Sequence, residues 1–278
     1  MNAPLLSAPR VEPFFFDADP GTRFSLYHAP APQVPSRGAI LYVHPFAEEL
    51  NCSRRMVALQ ARRFAALGFA VLQLDLFGCG DSCGDFNAAR WELWKRDLAT
   101  ARAWLAGRSI GPLYVWGLRL GGLLALDFAS TTHVDGVILW QPYLQGRTCI
   151  NELLHQFLRS EGDRAGARTT SALRAELVAR GTIEVSGYEL VAPLVQSIDA
   201  CDAFDLMLPA CPVHWFASGA PAPARLASNA ARLAERWSAH GVTLHFHPVD
   251  GVPFWDGQNA ECPAMLDATS AVFTLAAP

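Results

Sequence analysis

Charge is scarce in this chain: Asp, Glu, Lys and Arg make up 17% of its 278 residues, and Lys95 is the sole lysine. The formal net charge is -4 and the pI about 6.0, so there is no electrostatic footprint for a nucleic-acid backbone. Long apolar runs are also missing. The longest, Gly121 to Ala129 and Val134 to Trp140, fall well short of the ~20 residues that cross a bilayer. Met1 to Pro20 contains Arg10 and Pro13 and lacks a basic start followed by an apolar core, from which a cytoplasmic location is expected. The seven cysteines are odd in number and scattered, a pattern of reduced thiols that excludes a disulfide framework. Cys79 and Cys83 have no second Cys or His pair at matching spacing, so no metal and no cofactor is expected. Internal repeats are absent, and Ala220-Pro-Ala-Pro-Ala224 is a short stiff link rather than a low-complexity tract.

What is present is apolar: 51% of the residues are hydrophobic, which excludes disorder. Strand-length apolar runs alternate with longer amphipathic segments, and that alternation predicts an α/β protein, a parallel sheet covered by helices. Val11 to Phe16 and Arg23 to His28 read as a hairpin joined by Asp17-Ala-Asp-Pro-Gly21. Ala39 to Val43 is the next strand, followed by a helix from Ser53, as N-cap, to Leu67, with Gly68 as its stop. Then come a strand at Ala70 to Leu74, a glycine-rich loop from Asp75 to Gly84, a helix from Ala88 to Ala106 and a central strand at Leu113 to Trp116. A helix at Gly122 to Ser130 and a strand at Val134 to Trp140 complete this half. Residues 145–205 break the rhythm, being more polar and mostly helical with an extended piece at Thr182 to Glu189. They are expected to be a cap inserted between the sixth and seventh strands of a core formed by 1–144 and 206–278. The alternation resumes with strands at Val213 to Ala217 and Val242 to Pro248 and helices at Ala222 to His240 and Pro263 to Leu275.

Three landmarks stand in order on this scaffold. Gly117-Leu-Arg-Leu-Gly121, between a strand and a helix, has the form of the G-x-S-x-G nucleophile elbow. Tyr42-Val-His-Pro-Phe46 looks like the loop that supplies an oxyanion-hole amide, and Asp75-Leu-Phe-Gly-Cys-Gly-Asp-Ser82 like the D-x-x-G-x-G-x-S loop after the next strand. The chain thus resembles α/β-hydrolases. More narrowly, His44-Pro-Phe-Ala-Glu-Glu49, Ser53-Arg-Arg-Met56, Trp116 to Gly121 and Gly187-Tyr-Glu-Leu190 resemble the exosortase A system-associated hydrolases of type two, over roughly residues 38 to 270. The resemblance implies a hydrolase fold and a place beside a bacterial system that sorts proteins and exports exopolysaccharide. It also implies a possible partner, a second hydrolase-like protein of that system.

The residues that such a fold needs for Ser-His-Asp catalysis are replaced at all three expected positions. Arg119 occupies the elbow, and a guanidinium stays protonated at physiological pH and cannot attack a carbonyl. Val252, in Asp250-Gly-Val-Pro-Phe254, stands at the base position, and the acid position reads Gly219-Ala-Pro-Ala222. Because a triad works as a unit, conventional serine-hydrolase activity is not expected. A cation at a helix N-terminus opposes the macrodipole by ~0.3–1 kcal/mol, and a buried arginine left unpaired costs ~3–5 kcal/mol, so Arg119 calls for a negative partner. Two readings are open: a structural ion pair with Glu48 or Glu49, or an anion site for the carboxylate or phosphate of a small ligand. The candidate ligand-binding set is Arg119, His44, Glu48, Glu49 and Trp255. Cys79 and Ser82 are candidates for displaced nucleophiles, with Ser82 read as a turn-closing hydroxyl, and His44 either bonds backbone or takes part in chemistry. Arg54 and Arg55 form a solvated helix face or reach an anion. Trp91, Trp94 and Phe254 read as core aromatics. The functional readings are a non-catalytic binder of an anionic small molecule or a partner, a hydrolase with a rearranged site acting on an acyl or sugar ester, and a scaffold.

Overall fold

The computed structural model describes residues 10–162, 168–219, 224–257 and 260–274. Strands β1 (Val11–Asp17) and β2 (Thr22–His28) form the opening hairpin. They are followed by β3 (Ala39–Val43), α1 (Glu48–Ala66), β4 (Ala70–Leu74), α2 (Trp91–Ala106), β5 (Leu113–Leu118), α3 (Leu120–Thr131) and β6 (Gly136–Trp140). The segment after β6 carries α4 (Gly146–Glu161), α5 (Thr170–Arg180), the small hairpin of β7 (Thr182–Val185) and β8 (Tyr188–Val191), and α6 (Ala192–Ala200). The chain returns through β9 (Pro212–Ser218), α7 (Ala224–Ser238), β10 (Thr243–Val249) and α8 (Pro263–Thr274). The main sheet runs β1-β2-β4-β3-β5-β6-β9-β10. Among the described strands of this sheet only β2 runs against the rest; β1, antiparallel to β2, points the same way as the others.

The central strands read as continuous apolar runs because helices cover both faces. Ala39–Val43 and Gly136–Trp140 are buried at every residue. One face packs against α1 and α8 through Met56, Phe64, Trp116, Trp140 and Met265; the other packs against α2, α3 and α7 through Leu98, Leu124, Val137 and Leu233. Helix α3 lies on the middle of the sheet, and nine of its twelve residues are buried.

Several boundaries differ from expectation. Helix α1 begins at Glu48 rather than Ser53, since Ala47 turns the chain into it with φ 49°. Ser53 lies buried inside the helix, and its hydroxyl donates to Leu50 O at 3.2 Å instead of capping. Helix α2 starts at Trp91, after a single 3-10 turn at Phe86–Ala88. Strand β5 continues through Leu118, so the elbow grows directly out of the sheet. The extended piece at Thr182 to Glu189 folds back on itself at Ser186 and Gly187, both at positive φ. The expected helix start at Ala222, the link at 220–224 except Ala224, and Leu275 lie outside the described residues.

Candidate functional site

The elbow is a backbone feature before it is a chemical one. Arg119 sits at φ 54° and ψ -118°, a sparsely populated conformation for a non-glycine residue. The two flanking glycines permit the turn, since a Cβ on Gly117 would lie 2.4 Å from Gly121 O and one on Gly121 would lie 2.3 Å from both Val43 O and His44 O. Backbone bonds fix the strained residue: Arg119 N–H donates to Trp140 O at 3.0 Å, and its carbonyl accepts from Gly122 N at 3.0 Å and Tyr143 N at 3.2 Å. The side chain is therefore aimed by the sheet, in the manner of an elbow nucleophile.

Four elements converge on that guanidinium. Nε donates to Oε1 of Glu49, in the first turn of α1, at 2.9 Å. Nη2 donates to Oε1 of Glu152, on α4, at 2.9 Å, and to the hydroxyl of Tyr143 in the loop after β6. The Tyr143 ring stacks on it at 4.1 Å and Trp255, beyond β10, lies at 5.1 Å. Arg119 is 7% exposed, and with two carboxylates within bonding distance the cost of an unpaired buried charge does not arise. Burial opposes its charge, but Glu49, Tyr143 and Glu152 outweigh burial and hold it a permanent cation. Burial pushes the Glu49 carboxyl up to about 7, Arg119 pulls it down, and Glu152 and Asp256 add to the rise. Burial also raises the Tyr143 phenol and the Cys149 thiol far above their usual range.

A cavity of about 310 Å³ opens beside this cluster, lined by Phe46, Glu48, Glu49, Cys52, Arg159, Trp255 and Asp256 among others. Its charges are mainly negative. The expected ligand-binding set comes together only in part. Arg119, Glu49 and Trp255 do come together, but Glu49 and Glu152 neutralise the arginine. Glu48 lines the cavity and accepts from Asn51 at 3.2 Å and the Tyr188 hydroxyl at 3.4 Å, not from Arg119. His44 is outside the group: it is buried, Nδ1 is 2.7 Å from Pro45 O, and Nε2 accepts from Leu76 N at 3.2 Å. With Nδ1–H donating and Nε2 accepting, the ring is neutral and serves the backbone, and burial lowers its pKa further. These carboxylates make the 310 Å³ cavity unsuited to an anion.

The other candidates also have structural partners. Ser82 Oγ donates to Asp75 O and accepts from Phe24 N at 2.9 Å, closing the turn. Cys79 is buried, and desolvation raises its thiol pKa, so it is no ready nucleophile. Arg54 pairs with Asp75 at 3.3 Å and Arg55 with Glu261. Trp91, Trp94 and Phe254 are core. Val252 stands 60% exposed, and the acid position after Gly219 falls on 220–222, outside the described residues. Among the described residues no serine or cysteine side chain is hydrogen-bonded to a histidine, no cluster of His, Cys, Asp or Glu is arranged to hold a metal, and no helix is long and apolar enough to cross a membrane. Sequence reading missed Tyr143 and Glu152. Tyr143 could have been found as the residue closing the loop after β6; Glu152 carries no spacing signal, because it is one of two acids on α4, with Glu161, and neither stands in a motif.

The strand order, the elbow and the crevice at the carboxyl ends of the strands define an α/β-hydrolase fold. Residues 34–235 match the family of serine aminopeptidases, S33, and the chain belongs to that family. Est1E from Butyrivibrio proteoclasticus, solved with ferulic acid bound, superposes with a TM-score of 0.69 at 14% identity, covering 94% of this chain and 98% of its own. An α/β serine hydrolase without a lid from Xanthomonas campestris gives 0.57 at 16% identity, covering 98% and 95%. The mouse α/β hydrolase domain-containing protein 10 gives 0.60 at 14% identity, covering 96% and 100%. No curated protein matches the chain.

Proposed function

We propose that this member of the family does not carry out Ser-His-Asp hydrolysis and instead binds a small anionic molecule, or a partner that presents one, in the crevice at the carboxyl ends of the strands. The observation that carries the non-catalytic reading is Arg119 at the elbow, bonded at 2.9 Å to both Glu49 and Glu152. A nucleophile at this position must be free to attack; this side chain is committed to two carboxylates and a phenol. With Val252 where a histidine would act as base, the triad's own proton-transfer position carries no titratable group. The ion pair to Glu152 also gives the arginine a second task, which is to tie α4 to the core, so that residues 145–205 act as a fixed cap.

The motif likeness to the exosortase A system-associated hydrolases supports a role in the cytoplasm beside exopolysaccharide export, with a second hydrolase-like protein of that system as partner. The test is chemical. Incubation with a fluorophosphonate probe and with short p-nitrophenyl esters is expected to give no labelled serine and no turnover above the buffer rate. A stoichiometrically labelled serine with robust ester cleavage would establish the alternative, a hydrolase with a rearranged site.

A further inference from the structure

Tyr143 lines both the acidic cavity and a larger cleft of about 630 Å³, within the range of small-molecule sites. The cleft's charge is opposite. Arg225, Asn229 and Arg232 line it from α7, at the i, i+4, i+7 spacing that puts all three on one helix face. Neither arginine makes an ion pair among the described residues. Asp202, the acid in the wall, is already engaged: Oδ2 accepts from Gln145 Nε2 at 2.8 Å and Oδ1 from Phe204 N at 2.9 Å. Arg225 in the first turn of α7 adds positive charge where the helix dipole is already positive, and a bound anion would relieve that repulsion. The floor carries Arg119, whose charge Glu49 and Glu152 neutralise.

The remaining walls mix polar groups, Gln141, Gln145 and Thr148, with apolar ones. Pro142, Leu144 and Leu226 line the cleft, and the Arg232 guanidinium lies 4.6 Å from the Phe204 ring. We infer that this cleft is the anion site, binding an amphiphilic molecule whose carboxylate or phosphate sits between Arg225 and Arg232 while its apolar portion lies on Phe204, Leu226 and Pro142. The inference rests on the binding reading above and assigns it a place, moving it from the carboxylate-lined cavity to the arginine-lined one.

The experiment is calorimetric titration of the whole chain with hexanoate, hexyl phosphate and hexan-1-ol. Either anion is expected to bind and the alcohol not, and the tighter anion identifies the head group as carboxylate or phosphate. Arg225→Gln with Arg232→Gln, both exposed and away from the core, is expected to weaken the anion at least tenfold, and added salt to weaken it further. Glu48→Gln, in the other cavity, is expected to leave the affinity unchanged. No binding of either anion at millimolar concentration, equal binding of the alcohol, or unchanged affinity in the double variant overturns the inference. Unchanged affinity in the double variant overturns this cleft and leaves the binding reading standing, whereas no binding of either anion overturns both; the non-catalytic reading is decided separately, by serine labelling.

Discussion

Two arginines are buried among the described residues, and their surroundings differ. Arg23, on β2, is fully buried, with Nη2 2.8 Å from Asp97 Oδ1, Nη1 donating to Pro20 O at 2.7 Å, and its guanidinium 4.9 Å from the Phe77 ring. No cavity borders it among those described. Arg119 has the same kind of partners, carboxylates and an aromatic face, but its carboxylates belong to α1 and α4, and it stands between an acidic cavity and a basic one. The first arginine closes a gap in a sealed core. The second occupies the place where a fold of this class puts its chemistry, and joins two layers of the molecule there. Burial and pairing alone do not distinguish a structural charge from one that marks a site; the neighbouring empty volume does.

The largest expected effect lies on the sealed side. Arg23→Met strands Asp97, whose carboxyl keeps the Phe77 amide at 2.8 Å but loses its counter-ion, and urea unfolding is expected to show a loss of about 3–5 kcal/mol. An unchanged midpoint would remove the contrast altogether.

Next comes the pH dependence of Glu49. Its carboxyl is pushed from an ordinary 4.5 to about 7, so between those values the folded state holds a proton that the unfolded state has released. The associated stability is complete below pH 4.5 and is lost as pH rises through about 7, by up to about 3 kcal/mol. Unfolding free energies measured across this window are expected to slope downward with pH in the native chain and to flatten in Glu49→Gln.

Arg119→Met is expected to cost less than the Arg23 variant, about 2 kcal/mol near neutral pH. The stranded Glu49 can take up a proton there, and Glu152, with a side chain 41% exposed, turns to water. Combining Arg119→Met with Glu49→Gln should recover part of the loss, and a strictly additive double variant would mean that the two do not interact.

Glu152→Gln should have the smallest effect, under about 1 kcal/mol, because the Glu152 side chain is itself 41% exposed and its attraction to Arg119 is screened by water. Its measurable consequence is local, a faster exchange of α4 amides with those of the sheet unchanged. Equal exchange in both would deny the tie between α4 and the core.

Much of this molecule was legible before its coordinates. The strands announced themselves because residues covered on both faces must be apolar throughout, as Ala39–Val43 is. The elbow was legible because its glycines are fixed by contacts that no side chain could survive. The start of α1 was not, since Ala47 supplies a backbone turn without any capping side chain. Nor was the place of His44, which depends on the amide of Leu76, thirty-two positions away.

The chain's own order of residues determined that a strand, a sharp turn and a helix would present Arg119 rather than a nucleophile, because periodicity and glycine are local properties. Tertiary structure alone decided which charges that arginine would meet. Glu49 and Glu152 lie 70 and 33 residues from it, and whether a carboxylate neutralises a cation depends on a few ångströms of separation in space. The same holds for the arginines of α7, which became a cleft wall only when the sheet brought that helix beside the loop after β6.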